Sequence, residues 1–276
     1  MKTKFIDIND KKIAFYDQGQ GEPLVIVHGW LVTKEIYQDL AEKLQDRYRV
    51  IVPDLPGFGE SECCLEKYSL SCLADFLKEF IGYLGLAKSN FFGNSMGGTL
   101  VLELLKKYPQ IVEKAVVRAG LVSSEQLSWL FTRKKFKQFI SRTTQNEKNF
   151  KFYKPFLKLV LKKTLMPKGK RESKIFFDTK RVLDLTEKAR SMNNIDLSIA
   201  SDLGLDLLEV DYSSVLEDAR DNLLYISCSK DRLVKRNKTV RLLQDKGIVM
   251  QTVCSRHSIN VSDTVELSTM INNYIQ

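Results

Sequence analysis

The run Gly93-Asn94-Ser95-Met96-Gly97, followed by Gly98, sets one serine between residues that lack side chains. It comes directly after Asn90-Phe91-Phe92 and directly before Thr99-Leu100-Val101-Leu102-Glu103-Leu104-Leu105, a helix pattern. A serine hydroxyl is a weak nucleophile until a neighbouring base takes its proton. The G-x-S-x-G spacing suits that use. A tight turn puts the serine in strained backbone angles, and flanking glycines let strand and helix pass closely. The helix that follows aims its first amides at negative charge developing beside the hydroxyl. The same five letters also occur in structural turns, so the strand before and the helix after carry the chemical reading.

The base has few candidates, because the chain contains two histidines, His28 and His257. Imidazole is the side chain that exchanges a proton near neutral pH. His28 follows the run Leu24-Val25-Ile26-Val27 and precedes Gly29, a setting that suits a ring bonded to local backbone. His257 stands in Ser255-Arg256-His257-Ser258, after the last apolar run and before the terminal helix pattern, and is the expected base. An imidazole so used needs a carboxylate to hold its tautomer. Asp231, in Ser229-Lys230-Asp231-Arg232, is the first candidate; its competing roles are a helix N-cap or an ion pair with Arg232. Asp206, Glu209 and Asp211 are rival acids that no clear strand precedes. Acyl transfer also needs amides for the developing oxyanion: Met96, next to the serine, and Trp30, in the loop His28-Gly29-Trp30.

These residues must be held by elements that the apolar pattern predicts. Strands are expected over 4–8, 12–17, 24–27, 49–52, 90–92, 115–117, 223–226 and 249–253, with Asn9-Asp10 as a hairpin turn. Helices are expected over 35–46, 69–84, 97–107, 235–246 and 261–274. Short β-rich runs alternating with helices predict an α/β fold, a mostly parallel sheet of about eight strands covered on both faces. From 123 to 210 there is no clear strand, only helical patterns such as Leu127–Ile140, Phe150–Leu165 and Ile175–Ala189. The expected division is a core of 1–122 and 211–276, with 123–210 inserted as a helical cap over the strands' carboxyl ends. Ordinary crossover helices joined by long loops are the alternative.

The formal charge of +9 invites a nucleic-acid reading until its distribution is examined. Arg133 to Lys174 holds fifteen Lys or Arg against Glu147 and Glu172, a net +13, which leaves −4 for the rest of the chain. Only the middle segment would attract a polyanion. Its Phe136, Phe139, Phe150, Phe152, Tyr153 and Phe156 are interleaved with lysines, as in helices that turn aromatics inward. No specific nucleic-acid partner is expected. An anionic lipid surface could meet the basic exterior of such a cap, and stacking of single-stranded bases on its aromatics is the competing non-enzymatic reading. No stretch approaches the 18 or so apolar residues of a membrane span. The start of the chain lacks the apolar core of a secretory signal, and five cysteines show no metal-ligand spacing. A cytoplasmic protein with reduced thiols is expected, with contact to a membrane periphery open to the basic cap.

Together with Asp54-Leu55-Pro56-Gly57-Phe58-Gly59-Glu60-Ser61, which looks like a D-x-P-G-x-G-x-S loop, these motifs resemble the α/β-hydrolase superfamily, in its lid-bearing serine esterase and lipase branch. The resemblance covers roughly 12–121 and 215–274, and the order Ser95, Asp231, His257 is the family's order. It implies a serine hydrolase that needs no metal or organic cofactor, with Ser95, Asp231 and His257 as a triad and Trp30 and Met96 as oxyanion donors. Its expected substrate is a small acyl ester, medium-chain or a monoacylglycerol, in a pocket walled by Trp30, Phe136, Phe139 and Phe156. Thioesters, carbon–carbon bonds and peptide amides are alternatives for the same triad, and the family also includes members without catalysis. A serine at the nucleophile position argues against the dehalogenases and epoxide hydrolases, which carry aspartate there.

Overall fold

A computed structural model of the chain describes residues 1–63, 65, 68–127 and 197–276. Each of the eight apolar runs forms a strand: β1 (Lys4–Ile8), β2 (Lys11–Gln18), β3 (Glu22–Val27), β4 (Tyr48–Pro53), β5 (Ser89–Asn94), β6 (Val112–Arg118), β7 (Leu223–Cys228) and β8 (Val249–Val253). They make one sheet in the order β1-β2-β4-β3-β5-β6-β7-β8. β1 and β2 form an antiparallel hairpin, turned at Asn9 and Asp10 with φ of 51° and 60°, the left-handed pair that a two-residue turn requires. β2 runs antiparallel to β4, and β3 to β8 are mutually parallel.

The described helices are α1 (Gln38–Leu44), α2 (Leu70–Tyr83), α3 (Met96–Lys107), α4 (Leu197–Asp206), α5 (Val215–Asp218), α6 (Arg236–Asp245) and α7 (Thr264–Ile275). Central strands buried on both faces explain why Leu24 to Val27 and Phe91-Phe92 read as unbroken apolar runs. Alternate residues go to opposite faces. Val25, Val27, Phe91 and Val117 pack in one core with α2 and α3, while Leu24, Ile26, Phe92 and Val116 pack in the other with α1 and α7. All parallel strands therefore end at one edge, where the loops that carry Trp30, Asp54, Ser95, Asp231 and His257 emerge.

Three local expectations need correction. The helix expected over 35–46 divides into a 3-10 turn, Lys34–Tyr37, and α1; the Lys34 amide that opens the turn is held at 2.8 Å by the Asp54 carboxylate. Leu127, expected to open a helix, has extended backbone (φ −62°, ψ 144°) and bridges Val234. Helix α4 was not expected, since it buries only a short i, i+4 pair, Ile199 and Leu203, among its described side chains. Among the described residues, the stretch after β6 pairs with the stretch before α5. Ser123 bridges Asp211 antiparallel, the Tyr212 amide donates to the Val122 carbonyl at 2.6 Å, and the Ser124 amide to that of Val210 at 2.9 Å. The helical patterns expected over 150–165 and 175–189, and that at 127–140 beyond Leu127, lie outside the described residues.

Candidate active site

Ser95 occupies the bend between β5 and α3 with φ of 57° and ψ of −122°, a conformation that L side chains rarely adopt. Its amide is held by the Arg118 carbonyl at 2.9 Å, so the neighbouring strand secures the bend. Strand and helix leave no room here: a Cβ at Gly97 would collide with the carbonyl oxygens of Val27 and His28, and one at Gly93 with that of Gly97. The loop after β3 lies against the same bend, with Gly29 packed on the Asn94 carbonyl and the Ser95 side chain.

His257 Nε2 lies 2.6 Å from Ser95 Oγ, and His257 Nδ1 lies 2.8 Å from Asp231 Oδ2. An ionised carboxylate only accepts, so Nδ1 carries the ring proton and Nε2 is left to accept from the serine hydroxyl. The loops bearing acid and base are laced together: the Ser229 amide donates to the Val253 carbonyl and the Lys230 amide to that of Ser255, each at 3.0 Å. Asp231 uses its two oxygens differently. Its Oδ1 accepts the amides of Leu233 (2.8 Å) and Val234 (3.1 Å), ordering its own turn, and its Oδ2 faces the ring. The helix N-cap role falls instead to Lys235. Burial by itself would raise the Asp231 carboxyl, but the His257 ring and the two amides outweigh it and hold it below the usual carboxylate range.

Two of the three rival acids are engaged elsewhere. Asp206 Oδ2 accepts the Leu70 amide at 2.7 Å, at the start of α2, and Asp211 Oδ1 accepts the amide and hydroxyl of Ser213. His28 is wholly buried; its Nδ1 donates to the Gly29 carbonyl at 2.9 Å and its Nε2 accepts the Leu55 amide at 3.0 Å. Burial pushes this ring down to about 4, so it is neutral near pH 7 and joins the loops after β3 and β4.

The loop after β4 packs around Asp54, whose carboxylate accepts the amides of Lys34 (2.8 Å) and Glu60 (3.0 Å). Gly59, at φ 58°, leaves room for that carboxylate, which a Cβ would strike. Ser61 Oγ donates to the Asp54 carbonyl at 2.8 Å and accepts the Ala14 amide at 3.0 Å, tying the loop to β2. Glu35, Asp54 and Glu60 bring carboxylate oxygens within 4.8 Å of one another, a spacing that would suit a metal ion. The cation among them is Lys34, whose wholly buried ammonium contacts them at 2.7, 2.8 and 2.6 Å respectively. Burial raises the Asp54 carboxyl to about 6 despite that ammonium.

Met96 opens α3, so its amide precedes any intrahelical acceptor. Trp30 follows Gly29 in the loop beside the serine, and its indole packs under Gly204 of α4. Phe136, Phe139 and Phe156 lie outside the described residues. Two buried residues that the sequence pattern does not single out take part here: Lys34, the centre of the carboxylate group, and Arg118, which reaches the His257 loop. The available signal for Arg118 was a charged residue closing the apolar run Ala115-Val116-Val117.

The chain belongs to the alpha/beta hydrolase fold family, whose model matches residues 22–263. It is 31% identical over 122 residues to "(E)-2-((N-methylformamido)methylene)succinate hydrolase" of Acinetobacter baylyi, a stretch covering 44% of this chain and 46% of that one. It is also 31% identical over 128 residues to "2-hydroxy-6-oxo-6-phenylhexa-2,4-dienoate hydrolase" of Burkholderia cepacia, covering 42% and 44%. The matches thus span less than half the length of these curated relatives. The enol-lactonase of Burkholderia xenovorans LB400 superposes with a TM-score of 0.78 over 99% of both chains at 14% identity, a likeness of fold.

Proposed function

We propose that this protein is a serine hydrolase that acts through an acyl-enzyme, with Ser95 as nucleophile, His257 as general base and then acid, and Asp231 as the carboxylate that orients the ring. The observation that carries this reading is the unbroken chain from Ser95 Oγ to His257 Nε2 (2.6 Å) and from His257 Nδ1 to Asp231 Oδ2 (2.8 Å). As Ser95 Oγ attacks a carbonyl carbon, its proton passes to Nε2, and Asp231 stabilises the imidazolium so formed. The amides of Met96 and Trp30 receive the developing oxyanion; one such donor is worth about 3 kcal/mol of transition-state stabilisation. His257 then protonates the leaving group, and water releases the acyl group by the same route in reverse. Apart from the attacking water, these steps use side chains and backbone amides of this chain.

The first substrate reading is a carboxylic ester, with residues 123–210 as a cap over the site. The pairing of Ser123 with Asp211 and the seat of α4 on Trp30, among the described residues, support that placement of the insertion. The second reading is hydrolysis of a carbon–carbon, amide or thioester bond in a small organic acid. It is favoured by the names of the two relatives, whose substrates are a succinate and a dienoate. A p-nitrophenyl ester series from acetate to palmitate, run beside an amide, a thioester and a keto-dienoate, separates the two. In Ser95→Ala, kcat on whichever substrate turns over falls by roughly 10⁴- to 10⁶-fold, while the melting transition stays in place. Turnover at the wild-type rate in that variant refutes the proposal.

A further inference from the structure

Arg118 is wholly buried at the end of β6, in register with Asn94 of β5, and belongs to neither the acid nor the base loop. It nevertheless touches both halves of the site. Its carbonyl accepts the Ser95 amide at 2.9 Å, and Nη1 donates to Asn94 Oδ1 at 2.6 Å, the residue before the serine. On the other side Nη1 donates to the His257 carbonyl at 2.8 Å, and Nη2 donates to Ser255 Oγ at 2.8 Å and to the Arg256 carbonyl at 2.9 Å. Asp263 Oδ2, at 3.7 Å from Nη2, supplies a countercharge and itself accepts the Asn260 amide at 3.1 Å.

Residues 254 to 260 lie between β8 and the turn that leads into α7 and have no regular structure. A loop of this kind, with its carbonyls facing inward, must find buried donors or lose its shape. The guanidinium is a rigid planar fork, so its contacts fix relative positions as well as distances. The geometry points to Arg118 as a positioning residue: it sets the spacing between the serine bend and the histidine loop, and so holds His257 Nε2 within reach of Ser95 Oγ. This rests on the reading of Ser95 and His257 as nucleophile and base, and it adds a residue that touches neither substrate nor the reacting atoms.

Arg118→Lys is the test, because an ammonium keeps the charge but cannot serve both sides of the fork. Expected in that variant is a fall in kcat of roughly 100-fold, the scale of a 1 Å misplacement, with KM kept within about twofold. The second measurement is the imidazole NMR spectrum of protein labelled at histidine. The His257 Nδ1 proton, bonded to Asp231, should shift or broaden in the variant. His28, whose ring is tied to Gly29 and Leu55, should not, which sets a displaced histidine loop apart from general loosening of the fold. Ser255→Ala removes one arm of the fork and should give the same signature with a smaller loss, roughly tenfold; it decides the matter if Arg118→Lys does not fold. An unmoved His257 signal in the folded variant overturns the proposal whatever kcat does. If the wild type shows no turnover that depends on Ser95, the hydrolase reading fails by itself, and the His257 signal still decides the role of Arg118.

Discussion

The two histidines show how the same side chain takes opposite roles in different surroundings. His257 is part-exposed at the mouth of a loop, with a carboxylate on one ring nitrogen and a hydroxyl on the other. His28 is sealed between two backbone loops and lowered from 6.5 to about 4 by burial. That shift has a thermodynamic consequence. As pH falls below 6.5 the unfolded chain takes up a proton that the folded ring refuses, so the stability contributed by neutral His28 is complete above about 6.5 and is lost as pH falls toward 4. The stability gap between the wild type and His28→Gln should therefore be widest at pH 7 to 8. It should narrow on acidification by up to about 1.4 kcal/mol per pH unit. Urea midpoints at half-unit intervals would measure it; a gap independent of pH would contradict the assignment. Asp54, raised to about 6 beside the same loops, changes in the opposite sense, so the difference between the two proteins reports on His28 more clearly than the wild-type curve does.

At the scale of elements, the junction of β5 and α3 concentrates the constraints. Gly97 sits where the helix crosses the carbonyl ends of β3, with the oxygens of Val27 and His28 in the space a Cβ would need. Those oxygens belong to backbone at the end of a central strand and cannot move aside as a flexible side chain could. Gly97→Ala should therefore cost about 3 kcal/mol or more, read as a lowered urea midpoint with little change in slope. A loss under about 0.5 kcal/mol, the usual size of a tolerated surface substitution, would mean that the crossing has slack. Much of this was legible in the sequence, because glycines on both sides of a serine, between a strand pattern and a helix pattern, imply a bend too tight for Cβ atoms. Helix α4 was not legible. Its described contacts are with distant residues: Ile199 meets the Gly57 loop, Gly204 meets Trp30, and Asp206 meets the start of α2. Local periodicity reveals little of an element held that way.

For the whole molecule, charge is divided as sharply as structure. Net +13 lies within Arg133–Lys174 and net −4 in the remainder, while no helix among the described residues is long and apolar enough to cross a membrane. If the basic segment forms the exterior of the cap expected over 123–210, it would give the molecule a cationic region beside its site. Each lysine near an anionic bilayer is worth about 1 kcal/mol, an attraction that falls off within a Debye length. Flotation with phosphatidylserine-containing vesicles should then recover the protein at low salt and release it at about 0.5 M salt, where screening is short-ranged. Phosphatidylcholine vesicles should leave it in solution. Equal recovery from both vesicle types would remove the expected lipid surface and leave the hydrolase reading untouched.

The sequence alone determined the class of fold, the succession of eight strands, the five helices between and after them, and the serine at the bend, because each is written in short-range patterns: period-2 or continuous apolar runs, period-3.6 runs, and glycines where the chain must turn. It also narrowed the base to His28 or His257 by composition. Position after the last strands already favoured His257 and Asp231, but that these side chains come within hydrogen-bond reach of one another and of Ser95 was decided only by tertiary structure. Those pairs lie 162 and 26 residues apart, and a sheet whose strands are not in chain order brings them together at one edge. Arg118 belongs to the same category: its charge looks anomalous in an apolar run, and its purpose appears only when the loop after β8 folds down upon it.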